Sequence, residues 1–168
     1  MKNPFFISRE KEYDLILYLL SIVDDSKFTF EDTAIIMASP DYSATVAMHL
    51  AHSWSRNGEV LSLIPVDVTY PDETADFYID KMQKQKEEIT KFKRLVLVEA
   101  GIIRGGNWTW MLNTLYEWGY SRSDITLVAL CENVHSKVKS DYVGQYYDND
   151  TEDLTFYFER FNRHWSDK

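Results

Sequence analysis

Arg94-Leu95-Val96-Leu97-Val98-Glu99-Ala100-Gly101-Ile102-Ile103-Arg104-Gly105-Gly106-Asn107 is the stretch that decides the fold. Residues 94–98, apolar without a break from Leu95 to Val98, predict a buried strand. Residues 99–107 then predict a loop, and a helix follows through Trp118 to a stop at Gly119. A strand that runs through a Gly-Gly loop into a helix forms an anion site, because N–H groups without helical partners and the helix dipole point at whatever occupies the loop. Gly105 and Gly106 allow positive φ and close backbone approach, and the Arg104 guanidinium supplies a bidentate clamp for phosphate. Trp108, at the start of the helix, is placed to wall such a pocket. A loop that needs glycine only to turn would look the same locally, so the surrounding chain has to decide.

Upstream, Tyr13, Ile16, Leu17, Leu20 and Val23 recur at helical spacing, predicting an amphipathic helix over residues 10–23 with Ser8 as N-cap. Residues 33–38, Thr-Ala-Ile-Ile-Met-Ala, predict a buried strand, with a turn at Ser39-Pro40-Asp41 and a helix over residues 43–56 that stops at Asn57-Gly58. Residues 60–68 predict a second strand, which Pro65 assigns to an edge or a bulge. Residues 70–93 are strongly charged, and residues 80–93 fit either a solvated helix or a mobile flap. After the central segment, residues 125–131 predict a further strand. Residues 138–165 fit a final short strand or hairpin plus a tail packed on the sheet, with Asp148-Asn149-Asp150 as a turn. Strands and helices alternate from residue 33 to residue 131, so the expected architecture is α/β, a mostly parallel sheet flanked by helices.

The 168 residues fit a single domain spanning 1–168, a size that typically buries roughly 70% of the unfolded surface. A net charge of -9 argues against a broad grip on nucleic acid or an anionic membrane. The first residues, Met1 to Phe6, lack the apolar run of a signal peptide, and no run is long enough to span a bilayer. The expectation is a cytoplasmic protein. Cys131 is the single cysteine, which precludes an internal disulfide, and its apolar neighbourhood predicts a buried thiol.

Residues 95–107 resemble the signature of type I phosphoribosyltransferases: an apolar strand, two adjacent acids, a short link and a Thr-Gly-x-Thr phosphate loop. In register, Glu99 takes the first acid, Ala100 the second, Arg104 the first Thr, Gly105 the Gly and Asn107 the last Thr. Residues 33–51 are similar to the family's early strand, pyrophosphate loop and helix, with Asp41-Tyr42-Ser43 where an Arg-Gly-Gly loop is common. Lys139-Ser140-Asp141-Tyr142-Val143-Gly144 is similar to the Lys-Pro-Asp-Tyr/Phe-Val-Gly run of the 6-oxopurine enzymes. The likeness extends over residues 8–160 in order and approximate spacing.

The resemblance implies a phosphoribosyltransferase fold that binds phosphoribosyl pyrophosphate or a purine nucleotide. Glu99 would hold ribose, Arg104, Gly105, Gly106 and Asn107 the 5-phosphate, and Asp41, Tyr42 and Ser43 the pyrophosphate. Lys139 would contact the base, with Phe156 and Phe158, neighbours of Tyr157, beside it as stacking aromatics. Mg²⁺ is the implied cofactor and a homodimer the implied assembly. Ala100 removes a ligand the cation would use, and the position of the family's loop acid falls on Ile103 or Arg104, neither of them a general base. A replacement would come from elsewhere, such as Asp41 or Glu132. Two readings follow: a transferase acting on a purine-like base with impaired or altered activity, or an inactive descendant of the fold that makes regulatory contacts through its acidic surface and Tyr/Phe-rich C-terminal stretch.

Other constellations are weaker. His49 and His52 share a helix face but lack a third ligand. Residues 148–150 lack the glycine and distal glutamate of a calcium loop. Cys131 and His135 would have to converge across a strand end to act as a nucleophile and base.

Overall fold

The computed structural model describes residues 5–55, 58–66, 82–148 and 154–156. Five strands, β2 (Thr33–Ala38), β3 (Ser62–Val66), β4 (Arg94–Ile102), β5 (Ile125–Asn133) and β6 (Tyr142–Tyr147), form one sheet in the order β3-β2-β4-β5-β6, with every pairing parallel. The short β1 (Phe5–Ile7) and β7 (Leu154–Phe156) pair in parallel as a separate two-stranded sheet. Helices α1 (Arg9–Ile22) and α2 (Pro40–Ser53) cover one face, where Ile16, Leu19, Val46 and Leu50 meet Ile35, Val96, Val98 and Val128. The short α3 (Lys86–Ile89) and α4 (Gly106–Glu117) cover the other, where Ile89, Trp108, Met111 and Leu115 meet Ile36, Leu95, Leu97 and Leu127. Strands buried on both faces have to be apolar throughout, which is why β2 is buried at all six positions. Burying a side chain such as Leu115 contributes ~1.5–3 kcal/mol.

β3, with Pro65, is an edge strand as expected, since proline cannot donate to a second neighbour. Ser8 caps α1 by accepting a hydrogen bond from Lys11 N. The buried stripe of α1 differs from the expected one: Leu15, Ile16 and Leu19 face the sheet, whereas Tyr13 is 53% and Leu17 47% exposed. Two apolar stripes that share Ile16 and Val23 compete on this helix, and the sheet takes the one that runs through Leu15 and Leu19. Residues 138–148 form no hairpin, because β6 runs parallel to β5 and reaches it through the connection at 134–141. Gly144 permits that pairing, since a Cβ there would lie 2.6 Å from the Leu130 carbonyl oxygen. Asp141 seals the connection by accepting from Leu127 N at 2.8 Å and Arg122 at 2.7 Å. Of residues 80–93, the described part holds only the four-residue α3 as a full helix, with Ile89 buried against the sheet. Among the described residues, no helix is long and apolar enough to cross a membrane.

Candidate functional site

The connectivity reverses at β2 and β4. The chain leaves β2 for the edge strand β3, then returns to place β4 on the other side of β2. α2 follows β2 on one face of the sheet and α4 follows β4 on the other, so the two connections part at the carboxyl ends of these strands and open a crevice, the place where open α/β sheets bind ligands. A cavity of ≈ 310 Å³ opens there, lined among the described residues by Gly101, Ile102, Ile103, Arg104, Gly105, Gly106 and Asn107. Arg104, Gly105, Gly106 and Asn107, adjacent in sequence, all line it.

The turn between β4 and α4 is tighter than the sequence suggests. β4 continues to Ile102, leaving residues 103–105 as the connection. Gly105 takes the left-handed conformation at φ 76°, and a Cβ there would lie 2.6 Å from Ser136 Oγ and 3.0 Å from Val138 N. Glycine is required at this position by both conformation and space. Gly106 has no positive φ; it is the first helical residue, because one left-handed residue suffices to redirect the chain. Lys137 N donates to the Arg104 carbonyl at 3.3 Å, tying the loop to the β5–β6 connection. Trp108 does not wall the cavity. It is fully buried in the α4-side core, and its indole N–H donates to Ser140 Oγ at 3.0 Å.

Glu99 is only 3% exposed. Ser39 Oγ donates to its Oε2 at 3.3 Å, Asn107 Nδ2 to the same oxygen at 3.4 Å, and Ala100 N to Oε1 at 3.0 Å. Burial disfavours the charged carboxylate more strongly than these donors favour it, and its pKa is pushed up to about 8. Near neutral pH the balance therefore leans toward the neutral acid. Ser39 was not singled out in the sequence, yet it is the one described non-glycine residue with positive φ, at 52°. Strain of this kind in a non-glycine residue costs of order 1–3 kcal/mol and collects at functional sites.

Asp41, Tyr42 and Ser43 do not form a loop. Pro40, whose fixed φ suits the first position of a helix, starts α2 early and places all three in its first turn. Tyr42 N and Ser43 N both donate to the Ser39 carbonyl, and Ser43 is buried. The turn between β2 and α2 therefore reduces to Ser39.

Lys139 lies in the β5–β6 connection. Its Nζ donates to the carbonyls of Asn133 at 3.2 Å and Val134 at 2.8 Å, and sits 3.4 Å from Glu132 Oε1. The aromatic ring beside it belongs to Tyr146, 53% exposed, with its centroid 6.0 Å from Nζ. Tyr146 escaped notice in the sequence because β6 had no assigned register there. Phe156 is in β7, its backbone paired with Ile7, while Tyr157 and Phe158 lie outside the described residues. Burial pushes the Cys131 thiol up to about 12, and His135 faces Asp148 at 3.0 Å, so this pair makes no nucleophile. Asn149 and Asp150 lie outside the described residues. His49 packs edge-on to Tyr13 at 6.2 Å.

The architecture is that of the phosphoribosyltransferase fold. The chain superposes on the Helicobacter pylori xanthine-guanine-hypoxanthine phosphoribosyltransferase with TM-score 0.62 and 12% identity, covering 100% of both chains. A purine phosphoribosyltransferase from Pyrococcus horikoshii gives TM-score 0.60 at 16% identity over 90% of this chain and 91% of that one. A hypothetical protein from Neisseria gonorrhoeae with bound ppGpp gives 0.61 at 11% identity over 97% of each. No family model and no curated protein matches the sequence.

Proposed function

We propose that this phosphoribosyltransferase-fold protein binds a phosphorylated ribose compound, phosphoribosyl pyrophosphate or a purine nucleotide, in the crevice at the carboxyl ends of β2 and β4. The observation that carries the reading is the cavity lined by Gly101 to Asn107, into which the amino end of the twelve-residue α4 opens. Gly105, Gly106 and Asn107 would hold the 5-phosphate through backbone N–H groups, with Arg104 adding charge. Glu99 would reach ribose only by exchanging its bonds to Ser39 and Asn107 for ribose hydroxyls, and Lys139 and Tyr146 would flank a base.

The donor chemistry speaks against a resident Mg²⁺. Ala100 stands where the family has a second acid, the Glu99 carboxyl is buried and already engaged by Ser39, Asn107 and Ala100 N, and among the described residues no three His, Cys, Asp or Glu side chains converge. A hard cation needs charged oxygens, and the crevice offers few. Binding is therefore better supported than transfer, which would also require a base to accept the purine proton, and Ile103 and Arg104 supply none. Titration calorimetry with phosphoribosyl pyrophosphate, purine nucleoside monophosphates and ppGpp, each with and without Mg²⁺, tests the reading. Binding of at least one, with nucleoside monophosphate affinity insensitive to Mg²⁺, is expected; no heat with any of them would overturn it.

A further inference from the structure

Glu132 is a buried carboxylate that the proposed binding scheme leaves unused. It sits near the carboxyl end of β5, register partner of Ile102 on β4 and of Tyr146 on β6, and its side chain is 0% exposed. Oε2 accepts from Ser140 N at 2.8 Å. Oε1 accepts no hydrogen bond among the described residues and lies 3.4 Å from Lys139 Nζ. A buried carboxylate in this state is costly unless a cation accompanies it. Because no part of the carboxylate is exposed, Glu132 cannot take a proton from a bound base. Its influence on a ligand has to pass through Lys139.

The geometry points to Glu132 as the positioning residue that fixes the Lys139 ammonium for contact with the base of a nucleotide, an assignment that rests on the binding mode proposed above. A lysine side chain is long and flexible, and an exposed one samples many rotamers. Here two ammonium protons are taken by the Asn133 and Val134 carbonyls, and Glu132 holds the charge from beneath. Among the described residues no acceptor other than the Glu132 carboxylate faces the third proton, and the half-exposed ammonium can turn it to a ligand acceptor beside the exposed ring of Tyr146. The same carboxylate is linked through Ser140 to the Trp108 indole on α4, so base side and phosphate side share one buried network.

The test is calorimetry of wild type and Glu132→Gln with two probes, inosine 5′-monophosphate and ribose 5-phosphate, which differ by the base. Glu132→Gln is expected to lose about tenfold in affinity for the nucleotide while binding of ribose 5-phosphate stays within about twofold. Lys139→Met should show the same split, and the double variant should be no worse than either single one, because the two residues act as a unit. Unchanged nucleotide affinity, an equal loss for both probes, or additive losses would overturn the assignment. Should Glu132→Gln not fold, Glu132→Asp, which keeps the charge and shortens the reach, reads the same split by the same criteria. Wild type that binds neither probe overturns the assignment of Glu132 and Lys139 to base contact, while the proposed function falls only if phosphoribosyl pyrophosphate, the other purine nucleoside monophosphates and ppGpp also fail to bind.

Discussion

Ser39 Oγ donates to Glu99 Oε2 across 3.3 Å, joining the carboxyl ends of the two strands at which the connectivity of the sheet reverses. Asn107, from the first turn of α4, donates to the same oxygen. One buried carboxyl thus gathers the three elements that border the crevice.

The proton on Glu99 makes stability depend on pH. Its native pKa of about 8 lies above the ordinary value of 4.5, so between these limits the folded chain binds a proton that the unfolded chain has lost. Stability from this group is therefore highest below about pH 4.5, falls as pH rises toward 8, and levels off above. Glu99→Gln, which cannot ionise, is expected to melt increasingly above wild type between pH 5 and pH 8 in thermal scans. Parallel melting curves across that range would place the carboxylate in its charged form.

Ser39→Ala keeps the left-handed strain and removes the hydroxyl that reaches Glu99. A loss of ~1 kcal/mol in denaturant unfolding is expected. Ser39→Gly removes the same bond but relieves the positive φ, and should be the more stable of the two.

Gly105→Ala combines a left-handed backbone with a collision against Ser136 and Val138. It should lose at least ~1 kcal/mol of stability, and by moving residues 136–138 it should also weaken ligand binding. Gly119→Ala, at φ 96° but with no atom within 4 Å of the added Cβ, should lose stability while leaving ligand affinity unchanged. Equal affinity losses in the two variants would contradict a special role for the Gly105 turn.

Arg104→Ala should lower affinity for phosphorylated ligands by roughly 10- to 100-fold, the range of a charge-assisted bond, with little change in unfolding midpoint. Unchanged affinity would remove Arg104 from the phosphate site.

Much of the framework was legible in the sequence because strands buried on both faces must be apolar throughout. Residues 33–38 and 95–98 announce themselves in this way, and Pro65 marks an edge. The glycines at 105 and 106 located the loop but not its shape, since only Gly105 needs the left-handed conformation. α2 starts at Pro40, three residues before the expected start, because proline reads equally as a turn residue and as a first helical residue. Ser39 could not be found, because a serine at positive φ leaves no mark in composition or period. The pairing of Glu132 with Lys139 and Tyr146 depends on strand register, which becomes visible only once β6 is laid beside β5. For α1, two apolar stripes were available, and only the sheet could choose between them.

The phosphate loop is the heart of the account, and amide chemical shifts examine it most directly. Titrating isotopically labelled protein with ribose 5-phosphate should move the amide resonances of Gly105, Gly106 and Asn107 saturably, ahead of amides on the far side of the sheet, and Arg104→Ala should raise the concentration required. Resonances of these three residues that stay in place, or that move no more than those of α1, would contradict phosphate binding at the β4–α4 turn.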